Sequence, residues 1–273
     1  MFDLLQYEFM RNAILASIFA GAGCGIIGVW IMLLGIPFIG VAMSHAAFAG
    51  AIFGLLLGVN PLTMAIMFSV AAAGLVGPMA ERAELDPNIS LGIVFSILLG
   101  IAFLGMGLLK GPKTEALNFI WGNILLLSRS DLIFLVIVVG INLLFLGVMF
   151  KEIEATLFNR ELARAVGIPD RPIFYVMLLL AGMTVALSLN TVGGLLIFSL
   201  IVNPPSAAYQ LTYSLRTMYM LSAAFGVASC MLGLLFSYLF NVPSGAVIII
   251  VSSIIFGLAL MLSPKRRVKR TVG

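Results

Sequence analysis

Apolar residues run through this chain in blocks far longer than a soluble core helix needs, and the few charged side chains stand between the blocks. No Asp, Glu, Lys or Arg occurs between Arg11 and Glu81. That gap is room for about three spans of roughly 20 residues, with turns expected near Leu34 to Pro37 and Gly58 to Pro61. Pro87 to Leu109 makes one more span, Leu132 to Phe150 a fifth, and Pro172 to Leu215 a pair. Thr217 to Pro264 holds a last pair about the turn Asn241-Val242-Pro243-Ser244-Gly245. The pattern predicts an all-α polytopic membrane protein of eight or nine transmembrane helices, one of them short or re-entrant, in a single domain over residues 1–273.

Composition agrees. Apolar residues make up 62% of the chain and charged residues 10%, against about 25% charged in a water-soluble domain. A charge at the bilayer centre costs at least about 2.5 to 3.5 kcal/mol, so charges mark the loops. Lys and Arg concentrate in cytoplasmic loops. Counting back through nine spans from the tail Lys265-Arg266-Arg267-Val268-Lys269-Arg270 leaves 11 basic residues inside and 4 outside. The C-terminus is therefore expected in the cytoplasm, with the basic tail 264–273 anchoring topology against anionic lipid. The start Met1-Phe2-Asp3 lacks a basic n-region, so the first segment reads as a retained span. Cys24 and Cys230 lie unpaired in apolar runs, and the 15 methionines follow no spacing; both read as packing residues.

The polar stretches differ in character. Lys110 to Ser130 holds an apolar run, Ala116 to Ser128, too short to span, with Phe119, Trp121, Gly122 and Asn123; it reads as interfacial or re-entrant. In Lys151 to Arg171 the signs alternate through Glu152, Glu154, Arg160, Glu161 and Arg164 until Gly167 and Pro169, so one or two short surface helices are expected there, either solvated or docking a partner. Leu109-Lys110-Gly111-Pro112-Lys113-Thr114 is not a phosphate loop. The first glycine is missing and Pro112 removes an amide donor, so no nucleotide site is expected.

The spans carry no charged side chain in their interiors. A transporter driven by protons or sodium needs such a residue or a dedicated ion site, so the driving energy is expected from elsewhere. The one histidine, His45, lies in Ser44-His45-Ala46-Ala47-Phe48-Ala49-Gly50. Its imidazole suits Zn2+, Mn2+ or Fe2+, or alternatively hydrogen-bonds across a helix pair. Asn190-Thr191-Val192-Gly193-Gly194 and Asn203-Pro204-Pro205-Ser206-Ala207-Ala208 break an apolar stretch. The double proline is expected to stop a helix and free carbonyls, with Asn190, Asn203 and Ser206 lining a path or simply packing. An intramembrane protease is disfavoured, because adjacent Ser44 and His45 project about 100 degrees apart on a helix and neither Gly-x-Ser-x-Gly nor His-Glu-x-x-His occurs.

Four stretches resemble the membrane subunits of the zinc, manganese and iron ABC importers, the ABC-3 family. They are Phe38 to Gly50 with its histidine, Ala116 to Leu125, Asn159 to Ile168, and Val192 to Leu196 continuing through Asn203 to Ala208. The resemblance implies a permease without its own catalytic or nucleotide site and with no permanently bound cofactor. Its cargo would be a divalent metal, zinc first and then manganese or iron, handled by His45, Ser44, Asn190, Asn203 and Ser206. It further implies that the segment 151–171 docks on a cytosolic ABC ATPase through Arg160, Glu161, Ala163 and Gly167. An extracytoplasmic metal-binding protein, a homodimer and the plasma membrane of a prokaryote complete the expectation, with no nucleic-acid partner. In two places the chain departs from the family: Val41 and Asn123 stand where it has Asp. A chelated metal or other small solute is the alternative cargo, and a stand-alone secondary transporter the alternative class.

Overall fold

The computed structural model describes residues 7–82, 86–109, 128–194 and 197–265; the side chains of 80–82 and 190–192 also lie outside the description. Within it run α1 (Glu8–Leu33), α2 (Ile39–Leu57), α3 (Pro61–Arg82), α4 (Pro87–Leu108), α5 (Arg129–Val148), α6 (Phe150–Phe158), α7 (Arg160–Ala165), α8 (Asp170–Val192), α9 (Ile197–Leu211), α10 (Leu215–Phe240) and α11 (Ser244–Met261). Eight of these are long and apolar enough to cross a membrane. The other expected span is α9, whose 15 residues reach about 22 Å against a hydrocarbon core of about 30 Å.

The spans divide into an inner and an outer set. The spans of α1, α2 and α8 are each 72% buried, while those of α4, α10 and α11 are 28% and that of α5 22%. Gly21 of α1 crosses α10 at Gly226, where a Cβ would stand 2.6 Å from the Gly226 carbonyl carbon. One turn on, Ser222 Oγ donates to Gly25 O at 2.7 Å. Helices gain little from apolar burial in lipid, so close backbone approach and interhelical hydrogen bonds hold them instead. On the outer helices Leu104 and Leu144 are each 67% exposed, as a lipid-facing surface requires.

The double proline does not stop a helix: Pro204 and Pro205 lie inside α9. Their missing N–H groups leave the carbonyls of Leu200 and Ile201 without the usual helical donor. Ile201 O lies against Gly28 of α1, where a Cβ would come within 2.2 Å of it, so α1 covers one of the two carbonyls that the prolines free.

Charged side chains gather at the two ends of the bundle. Glu8 and Arg129 pair at the starts of α1 and α5. At the other end a cavity of about 370 Å³ gathers Leu33, Glu154, Phe158, Tyr213 and Lys265. There the Lys265 ammonium lies 3.6 Å from the centre of the Tyr209 ring and donates to Tyr209 O. The stretch 110–127, with Trp121, Gly122 and Asn123, and the tail 266–273 lie outside the described residues.

Candidate functional site

His45 sits half-buried on α2, its ring edge-to-face with Phe95 of α4 at 4.8 Å between centroids. Its Nδ1 is 2.9 Å from Val41 O. A carbonyl only accepts, so Nδ1 carries a proton, and in the neutral form of the ring the lone pair is left on Nε2. The bond runs within one helix, so the expectation of a bond across a helix pair is not what occupies Nδ1. Ser44 is buried and its hydroxyl donates to the same Val41 carbonyl at 2.9 Å. Its Oγ lies 3.4 Å from Nδ1. Both groups spend their proton on one oxygen, which is no nucleophile-and-base arrangement.

Asn203 belongs to a different cluster, on a polar seam between α9 and α11. Its amide Nδ2 lies 2.8 Å from Ser199 Oγ, 3.1 Å from Ser252 Oγ and 3.0 Å from Ser253 Oγ. Two protons serve three hydroxyls. Ser206 turns to α1 and donates to Met32 Sδ at 3.8 Å. Asn190 lies in the last turn of α8, and its side chain is outside the described residues. Ser199, Ser252 and Ser253 went unnoticed in the sequence, although serines spaced through apolar helices were a signal.

The two short surface helices expected in 151–171 are α6 and α7. Asn159 caps α7, its Oδ1 accepting from the amides of Glu161 at 2.9 Å and Leu162 at 3.0 Å. Glu161 is exposed and Ala163 buried. Gly167 ends the turn at φ 86°, a conformation that suits glycine, and its N–H reaches Arg164 O at 3.0 Å. Apolar side chains stand out of this charged segment: Phe158 is 83% exposed, Leu162 57% and Val166 75%.

Sequence reasoning also missed Asp170, at the first residue of α8. Arg164 grips it with two bonds, Nε to Oδ1 at 2.9 Å and Nη2 to Oδ2 at 3.0 Å. Arg160 Nη2 adds a contact at 3.2 Å. A lone aspartate just past Gly167-Ile168-Pro169, with arginines six and ten residues before it, was the available signal. Asn142 is a further one: buried within α5, it donates to Thr184 Oγ1 of α8 at 2.8 Å.

Comparison with known proteins adds the following. The ABC 3 transport family matches residues 6–263. A manganese transport system membrane protein of Listeria innocua is 32% identical over 96% of this chain and 94% of its own length. A manganese import system permease protein of Streptococcus gordonii is 31% identical over 98% and 97%. The solved structure of PsaBC from Streptococcus pneumoniae in complex with Fab superposes with a TM-score of 0.88 at 28% identity, covering 99% of this chain and 97% of that one.

Proposed function

The chain belongs to the ABC 3 transport family, and on that premise we propose that it is the membrane-spanning permease of an importer that moves a divalent metal ion into the cytoplasm, manganese before zinc or iron. The names of its relatives specify manganese transport, and they do not support the zinc-first order that the sequence suggested.

The observation that carries the ion reading is the state of His45: Nδ1 is committed to Val41 O, which leaves Nε2 as the ligand atom. Among the described residues no group of three or more His, Cys, Asp or Glu stands close enough to hold an ion. A single imidazole aided by neutral oxygens binds weakly, and a transported ion has to leave. In this reading the path runs past His45 with Ser44 behind it, and past Asn203 and Ser206 on α9, with Asn190 near the end of α8.

The exposed Phe158, Leu162 and Val166 support docking of α6 and α7 on a cytosolic ABC ATPase, which consumes the ATP, with Arg160, Glu161, Ala163 and Gly167 shaping that surface. An extracytoplasmic binding protein delivers the ion to a homodimer whose pathway lies near its two-fold axis. The C-terminus is cytoplasmic in the plasma membrane of a prokaryote; Lys265 shares its end of the bundle with Glu154 of α6.

The test is ATP-driven uptake of manganese, zinc and iron into proteoliposomes holding this chain, its ATPase and its binding protein. Manganese uptake is expected to exceed the others and to fall on the order of 100-fold in His45→Ala, with assembly unchanged. An assembled, ATP-hydrolysing complex that moves no free metal ion would mean a chelated cargo instead.

A further inference from the structure

A helix of six residues cannot hold itself in place, so what α7 is fastened to decides where a push on it goes. Its junction with α6 is one extended residue, Asn159, at φ −164° and ψ 116°. Its fastening to α8 is much stronger. Ile168 N donates to Ala163 O at 3.0 Å, closing the turn that leads into α8. Asp170 is only 2% exposed although charged, and it takes the two-bond grip of Arg164 together with the contact of Arg160. The Arg160 guanidinium also lies 4.1 Å from the centre of the Phe174 ring, one turn along α8. Charge-assisted forks of this kind are both stronger and more directional than ordinary hydrogen bonds.

Farther along α8, twelve residues on and about 18 Å away, polar ties reach the neighbouring spans. Gly182 O accepts from Ser69 Oγ of α3 at 2.8 Å, and the same Oγ stands 3.5 Å from Met43 O of α2, two residues before His45. Thr184 Oγ1 accepts from Asn142 of α5, and Ser188 Oγ lies 3.6 Å from Cys24 Sγ of α1. One rigid helix thus joins a surface segment at one end to α1, α2, α3 and α5 at the other.

We propose that Asp170 is a positioning residue for transport: with Arg160 and Arg164 it clamps α7 to α8, so that movement of the ATPase against α7 is delivered along α8 to the helices around His45. The proposal rests on the reading of α6 and α7 as the ATPase docking surface. A loose α7 would absorb the push at the Asn159 joint, and ATP would be hydrolysed without ion movement.

Two measurements test it, one of them independent of any cargo. In the full chain in detergent, hydrogen exchange of the amides of 160–167 is expected to speed up about tenfold or more in Asp170→Asn, while 150–158 changes little, since that substitution removes the charge from the fork. In the complete complex in proteoliposomes, Asp170→Asn is expected to keep ATP hydrolysis and lower manganese moved per ATP at least about fivefold. Asp170→Glu should recover part of that ratio, and Arg164→Gln should reproduce the loss if Asp170→Asn folds poorly. Unchanged exchange at 160–167 would overturn the clamp. So would faster exchange with a wild-type ratio, or equal loss of hydrolysis and transport in both variants. A wild-type complex that moves no manganese would instead strike the transport reading, and the exchange result would still decide whether Asp170 holds α7.

Discussion

His45 and Asp170 are both polar groups set into apolar helices, and they are held in opposite ways. His45 is half-buried and tied by one bond to a carbonyl of its own helix. Asp170 is charged, buried, and held by two arginines from another helix. Taking the arginines away would leave the buried Asp170 carboxylate uncompensated, so the fork resists opening although Arg164 itself is half exposed, whereas the His45 ring is held by little more than one bond. The difference teaches how each group responds to a load: His45 can turn at the cost of one intrahelical bond, whereas Asp170 moves only together with the two arginines that hold it.

The contrast breaks most severely at Gly167. Gly167→Pro forces φ from 86° to about −65° and deletes the bond to Arg164 O, a cost of at least about 3 kcal/mol. That is on the order of a hundredfold in the population of the docked geometry. Manganese uptake is expected to drop at least about thirtyfold while the chain stays in the membrane; uptake near wild type would show that the turn does not set the docking surface. Beside His45, Val41→Asp sharpens the same comparison in the other direction. It places an oxygen ligand one helical turn from His45 on the same face. Manganese is expected to bind about tenfold more tightly and to turn over more slowly, read by equilibrium binding beside uptake rates.

The turns at Leu34 to Pro37 and Gly58 to Pro61 were legible in the sequence because glycine and proline interrupt long apolar runs there, and α1 to α3 begin and end beside them. The two short helices of 151–171 were legible as alternating charge. Pro204-Pro205 misled because the cost of two freed carbonyls depends on what covers them, and Gly28 lies 173 positions before Ile201. Asp170 stayed hidden for a related reason: its partners meet it only once the Gly167 turn folds α7 back. The direction of His45 Nδ1 needed coordinates as well, since periodicity puts Val41 within reach but also allows the ring to turn toward α4.

The smallest expected effect separates seam from path at Asn203. The amide ties α9 to α11 through Ser199, Ser252 and Ser253, and interhelical hydrogen bonds in membranes average only about 0.6 kcal/mol. Asn203→Ala leaves three hydroxyls that can rearrange among themselves, so the loss of stability is expected near that figure. If the amide also helps strip or guide the ion, manganese uptake should fall about threefold at unchanged stability of the assembled complex. A loss confined to stability, with uptake per folded complex equal to wild type, would assign Asn203 to the seam alone.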